Sequence, residues 1–222
     1  MIKELIILDL DNVIINGQSQ KILLNYLFGK RIIGFFYYFH IYFWFILYKL
    51  GLAKNPKEIM EYAFSFLKGR KVNEAEEIID DFFERVLKNF IFQEMVDIIN
   101  SHRKEKRELI IISNVIEILA KKIAEFLDIN NYIATKLEVM DGKFTGRIVG
   151  DIVYGENKVN CIKKFIKENN LNLIKSWAYA DHISDLGILN IVNNPLVVNP
   201  NRKMREEARK RKWPILNFDD KT

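Results

Sequence analysis

The chain has 222 residues, 49% of them hydrophobic, with 34 Lys and Arg against 29 Asp and Glu for a net charge of +5. That apolar content excludes a disordered polymer, and the length suits one domain with a good core, or a core plus a modest second lobe. The single cysteine, Cys161, excludes an internal disulfide and a cysteine-rich zinc site, and it fits a reducing compartment. Lys3 and Glu4 lead directly into an apolar strand rather than a signal peptide, so a cytoplasmic location is expected. Much of the positive excess lies between Asn201 and Lys212. Glu206 and Glu207 interrupt it and no aromatic residue is interleaved for base stacking, so it reads as a solvated helix face and no nucleic-acid partner is expected.

The first element is the run Leu5-Ile6-Ile7-Leu8, which reads as a buried strand of a parallel sheet because both its faces are apolar. It ends in Asp9-Leu10-Asp11-Asn12. Ligands of open α/β sheets bind at the carboxyl ends of the strands. Alternation points Asp9 and Asp11 the same way, where two like charges need a cation or a shared proton. Taken alone, this fragment reads equally well as a strand ending in a solvated turn.

Roughly ninety residues without a strand signal follow, far too many for a loop in a compact domain. They predict an inserted helical cap over residues 16–100, with residues 1–15 and 101–222 forming the core. Later apolar runs at 109–113, 176–181 and 196–199 alternate with helical patterns near 93–103, 115–127, 157–169 and 184–190. This is the βαβ rhythm of a parallel sheet. Asp141-Gly142 predicts a β-hairpin between 136–139 and 143–147. The expected fold class is α/β, a Rossmann-like parallel sheet with an inserted α-helical cap.

The polar residues closing these strands and opening these helices form one set: Asp9, Asp11, Ser113, Lys158, Asp181 and Asp185. Singly, each has an ordinary structural explanation; a serine after a strand usually caps a helix, and Lys158 has Lys163 and Lys164 as rivals. Together, Asp-Leu-Asp-Asn-Val (9–13), Ile-Ser-Asn (112–114), Gly-Glu-Asn-Lys (155–158) and Ala-Asp-His-Ile-Ser-Asp (180–185) resemble, in order, the four motifs of the haloacid dehalogenase (HAD) superfamily of phosphohydrolases. Within it the chain resembles subfamily IB, the phosphoserine phosphatase-like branch with a helical C1-type cap between the first two motifs. The stretches 134–138 with Asp141-Gly142, and 198–216, resemble a subgroup of that branch.

The resemblance implies an α/β phosphatase in which Asp9 attacks phosphorus to form an aspartyl-phosphate. Asp11 would protonate the leaving oxygen and then activate water. Mg²⁺ would be held by the carboxylates of Asp9 and Asp181 and the backbone carbonyl of Asp11, with Asp185 bound directly or through water. Ser113 would hydrogen-bond a phosphoryl oxygen with Asn114 as a further contact, and Lys158 would balance charge on the phosphoryl group. Three positions depart from the usual pattern, one of them Ala180, where glycine is common. Asn12 stands where glycine is common, and asparagine tolerates positive φ. His182 stands where serine is common, either as a loop histidine without a role or as a change in packing around the metal.

The implied function is Mg²⁺-dependent hydrolysis of a phosphomonoester, with a phosphorylated small molecule, a lipid or another hydrophobic phosphate as substrate. Alternatives are a phosphoserine phosphatase, with Glu58, Glu61, Lys68 and Arg70 as candidate amino-acid contacts, and a phosphotransferase using the same site. A non-enzymatic membrane or protein-interaction module on this scaffold is the alternative from another class. Residues 32–48 contain ten aromatics and no formally charged side chain, bracketed by Lys30, Arg31 and Lys49. As a helix of about 25 Å they fall short of the roughly 30 Å hydrocarbon core. Three settings stay open for them: burial within the cap, a homo-oligomer interface, or a peripheral contact that would make the protein membrane-associated.

Overall fold

The structure, a computed structural model, describes residues 4–49, 55–171 and 173–218. Its main sheet has the order β3-β2-β1-β6-β7-β8, and every neighbouring pair is parallel. The strands are β1 (Leu5–Leu8), β2 (Glu108–Ile116), β3 (Asn131–Thr135), β6 (Ser176–Ala180), β7 (Asn194–Val198) and β8 (Ile215–Leu216). A separate antiparallel hairpin joins β4 (Leu137–Met140) to β5 (Lys143–Ile148). Asp141 and Gly142 at its tip both take positive φ, +51° and +72°, as the expected two-residue turn requires.

Pairing of β1 with β2 on one side and β6 on the other makes it a central strand. Its period of two divides the core: Leu5 and Ile7 face one apolar layer, Ile6 and Leu8 the other. On the first face lie helices α7 (Gly155–Glu168), α8 (Leu186–Ile191) and α9 (Arg202–Arg211), contributing Ile162, Ile188, Leu189, Met204 and Ala208. The opposite layer holds α1 (Ser19–Gly29), α4 (Val72–Arg85), α5 (Gln93–Lys104) and α6 (Glu117–Phe126). The basic stretch becomes α9, whose Met204 and Ala208 are buried while most of its charged residues are exposed, in keeping with a solvated face.

Between β1 and β2 the described chain is helical, with α2 (Phe35–Lys49) and α3 (Pro56–Ala63) completing the series α1 to α5. Phe82 and Phe83 of α4 are fully buried, and the Tyr26 and Phe82 rings meet at 5.3 Å. The chain returns to the sheet through α5, where Met95, Ile99 and His102 are buried. The His102 Nδ1 accepts from the Arg107 guanidinium, so its Nε2–H donates to the Tyr179 hydroxyl at 2.8 Å. Burial, helped by the Arg107 charge, pushes the imidazole down to about 4 and keeps it neutral at pH 7.

Burial of the aromatic segment within its own chain, one setting considered for residues 32–48, is corrected by the structure. Helix α2 packs through Ile41, Tyr37 and Tyr38, but Phe35, Phe36, Phe39, Phe43 and Ile46 are exposed. The described side chains of α2 present more apolar surface than the neighbouring α1 and α3 cover.

Phe82→Ala is therefore expected to cost about 3–5 kcal/mol in urea unfolding. Phe36→Ala should change stability by no more than about 0.5 kcal/mol; comparable losses would contradict this packing.

Candidate active site

Because the strands of the main sheet are parallel, their carboxyl ends form one edge. Asp9 follows β1, Asp181 follows β6 and Asn199 follows β7, while Ser113 and Asn114 lie near the end of β2. The backbone N–H of Asp9 donates to the carbonyl of Tyr179 at 3.0 Å, so strand pairing continues to the carboxylate itself. In β2 the ladder to β3 slips: β2 advances four residues from Ile112 to Ile116 while β3 advances two, from Ile133 to Thr135. Ser113 and Asn114 occupy that irregular stretch, as strand distortions beside functional sites often do. Ser113 is buried, and the Asn114 carbonyl accepts from the Thr135 hydroxyl at 3.0 Å.

Lys158 lies in the first turn of α7 and is buried. Its ammonium donates to Asp9 Oδ1 at 2.8 Å and to Asp185 Oδ1 at 2.7 Å. Burial would lower the lysine pKa, but the charges of Asp185 and Asp9 outweigh it and the net shift is upward, so the ammonium stays charged. Asp185 reaches it from the end of a single 3-10 turn, Ile183–Asp185. Close approach of α8 to α7 makes this contact feasible: a Cβ at Gly187 would stand 2.5 Å from Val159 Cγ2.

Oxygens of Asp9, Asp181 and Asp185 all lie within 4.8 Å of one another. Burial drives Asp9 up to about 7, partly offset by Lys158, and burial with the Asp9 charge drives Asp181 up to about 8. Three buried carboxylates thus face one ammonium, a donor set of hard oxygens short of positive charge, which suits a divalent cation. Asp11 stands apart from this cluster. Its Oδ1 accepts the Ser19 N–H at the start of α1 at 2.9 Å, and burial raises its pKa.

The structure thus brings Asp9, Lys158, Asp181 and Asp185 into direct contact or close proximity, and sets Asp11, Ser113 and Asn114 on the same strand edge. Asn12 takes φ +58°, the conformation that permits it in place of glycine, and its Nδ2 donates to Asp181 Oδ2 at 2.8 Å. The His182 Nδ1 accepts the Ser184 N–H at 3.3 Å, so the residue caps the turn that presents Asp185. Burial lowers its pKa, consistent with a neutral, accepting ring.

Three supporting residues were not among the candidates from sequence. Asn199, at φ +42°, donates to the Asn12 carbonyl at 3.1 Å and accepts from the Phe218 N–H at 2.8 Å. Gln20 of α1 donates to Asn114 Oδ1 at 3.3 Å, and Gly187 allows the helix contact. Strand-end position could have marked Asn199. A separate cleft of about 530 Å³ lies between α4, α6 and the hairpin, lined by Glu76, Lys121, Tyr132, Lys136 and Phe144, and holds none of the strand-end carboxylates.

A carboxyl whose folded pKa lies above its unfolded value keeps a proton that the unfolded chain has released. Its contribution to stability therefore falls as pH rises from about 4 towards 8. In metal-free protein, the wild type should lose stability relative to Asp181→Asn across that window in denaturant titrations, and pH profiles that stay parallel would contradict the charge cluster.

The model of the haloacid dehalogenase-like hydrolase family matches residues 6–190. A probable phosphatase of Mycobacterium tuberculosis is 33% identical over 150 residues, covering 68% of this chain and 52% of that protein. The chain spans about half the length of the first curated relatives it matches. A histidinol-phosphatase of Neisseria meningitidis is 27% identical and covers 97% of this chain and 99% of its own. A solved structure of a protein of unknown function from Bordetella pertussis superposes with a TM-score of 0.89 at 22% identity, covering 97% of this chain and 99% of that one. The family match over most of the length, on a sheet whose carboxyl edge gathers the expected carboxylates, shows that the chain belongs to the haloacid dehalogenase-like hydrolase family.

Proposed function

We propose that the chain is a Mg²⁺-dependent phosphomonoester hydrolase acting through an aspartyl-phosphate at Asp9, with residues 16–100 serving as a helical cap over residues 1–15 and 101–222. The observation that carries this reading is the buried Lys158 ammonium, which ties Asp9 to Asp185 beside Asp181 at the carboxyl edge of the sheet. The carboxylates of Asp9 and Asp181 and the backbone carbonyl of Asp11 would hold the ion, with Asp185 behind them. Bound there, Mg²⁺ would offset the carboxylate charge and polarise a phosphoryl oxygen.

Asp9 begins the reaction as a carboxylate held by Lys158. One of its oxygens forms a bond to phosphorus while the bond from phosphorus to the ester oxygen breaks. The raised pKa of Asp11 fits it to carry the proton that this leaving oxygen takes up. Asp11, then a carboxylate, removes a proton from the water that attacks phosphorus, which releases phosphate and restores Asp9. Ser113, with Asn114 beside it, donates to phosphoryl oxygens, and Lys158 offsets their charge during transfer.

For the substrate, a phosphorylated small molecule or lipid is the reading we favour over phosphoserine. Glu61 already accepts the Ile148 N–H at 2.9 Å and the Arg70 Nε donates to the Phe66 carbonyl at 3.1 Å, so each is partly engaged within the chain. The histidinol-phosphatase relative, matched along its whole length, supports a small phosphomonoester.

Phosphate release from p-nitrophenyl phosphate, histidinol phosphate, phosphoserine and lysophosphatidic acid tests the proposal. Asp9→Asn should reduce turnover by about 10³-fold or more, and chelation should abolish it reversibly. Asp11→Asn should cost about 10²- to 10⁴-fold on alkyl phosphates and less on p-nitrophenyl phosphate, whose leaving group needs no proton. Full activity of Asp9→Asn would remove the nucleophile from this account.

A further inference from the structure

Helix α2 leaves a continuous apolar strip largely uncovered by the described residues, met at its start by the Phe28 ring, 6.4 Å from that of Phe35. Phe35, Phe36, Phe39, Phe43 and Ile46 fall within a sector of about 100° around the helix, and each is between 46% and 87% exposed. The Tyr37 and Tyr38 hydroxyls turn the other way, and His40, exposed beside the strip, lies against the Tyr62 ring. The Tyr37 hydroxyl donates to the Tyr62 carbonyl at 2.7 Å, the Tyr38 hydroxyl donates to Asn25 Oδ1 at 2.9 Å, and Lys21 lies over the Tyr42 ring. The outward strip consists only of hydrocarbon side chains.

We propose that α2 docks the protein onto an anionic lipid bilayer, lying in the plane of the interface with its phenylalanines at the acyl boundary. At about 22 Å it is a surface element, and no helix among the described residues is long and apolar enough to cross a membrane. Charge selects the occupant. Residues 32–48 carry no formal charge, and basic residues stand at both ends of the segment, Lys30 and Arg31 before it and Lys49 after it. A second copy pairing α2 with α2 would bring basic ends together in parallel and antiparallel arrangements alike. Anionic headgroups satisfy both ends at once. Arg31 is exposed, whereas Lys30 shares its charge with Asp81 at 2.9 Å. The proposal does not rest on the phosphatase reading, because the strip contains no residue of the strand-end cluster.

Co-sedimentation of the full chain with phosphatidylcholine vesicles, with and without phosphatidylglycerol, tests it directly. Wild type should bind the phosphatidylglycerol vesicles preferentially, and added salt should weaken that binding. The triple variant Phe36→Ser, Phe39→Ser, Phe43→Ser should bind at least about thirtyfold more weakly, since each phenylalanine withdrawn from lipid forfeits about a factor of three or more. Its melting temperature and its turnover of a soluble phosphomonoester should match wild type. If the triple variant melts early, Phe36→Ser alone should still weaken binding by about threefold or more. Absence of vesicle binding by wild type, equal binding of wild type and variants, or indifference to phosphatidylglycerol would each overturn the proposal. A lipid-independent dimer that the triple variant dissolves, with no vesicle binding, would assign the strip to a second copy and overturn it too.

Discussion

Lys158 places an ammonium between two buried carboxylates, and most of the arrangement at the sheet edge depends on that contact. It fixes the first turn of α7 against the end of β1 and against the turn that opens α8. A buried ion pair rarely adds net stability, because removing the charges from water offsets much of their attraction. Here the balance is less favourable still, since Asp181 adds a third carboxylate, to which the neutral Asn12 amide donates at 2.8 Å. Burial is the main cause of the raised pKa values of Asp9 and Asp181, and the neighbouring carboxylates add to it. A fold selected for stability alone would place apolar side chains at these positions. On the proposed function, a cation and a phosphoryl group would complete the electrostatics of the cluster, at some cost to the metal-free protein.

Everything around this contact serves to bring remote segments to one edge. Asp11 accepts the first N–H of α1, and the Asn16 N–H donates to the Phe90 carbonyl at 2.7 Å, so the inserted helices are stitched to the sheet where their chain leaves and returns. Gln20 reaches across from α1 to Asn114. On the other flank, Asn199 joins the loop after β1 to the segment after β8. A change at any of these places would act on Asp9 or Asp11 through backbone position rather than through direct contact.

The strands that could be read from sequence alone are those buried on both faces and closed by a polar residue, such as Leu5–Leu8 before Asp9 and Ser176–Ala180 before Asp181. β3 escaped because four of its five residues are only half-buried, so Asn131-Tyr132-Ile133-Ala134-Thr135 carries neither a clean alternation nor a continuous apolar run. β8 has two residues and is held by Val197 and Val198, a pairing no local pattern announces. The grouping of Asp9, Lys158, Asp181 and Asp185 could be read because ordered motifs mark these residues at strand ends and helix starts. Gln20 and Gly187 could not, since their roles exist only once α1 meets β2 and α7 meets α8. The outward face of α2 was hidden for a related reason: a helix apolar all round has no polar side to say which way it turns.

The central claim is that Asp9 takes the phosphoryl group covalently. Mixing the protein with a fast-turning phosphomonoester, quenching in borohydride and mapping the peptides by mass spectrometry tests it, because borohydride reduces an acyl phosphate to an alcohol. The account predicts homoserine at position 9, dependent on substrate and absent from Asp9→Asn. Turnover with an unmodified Asp9 peptide, or with the label on Asp11 or Asp181, would contradict it.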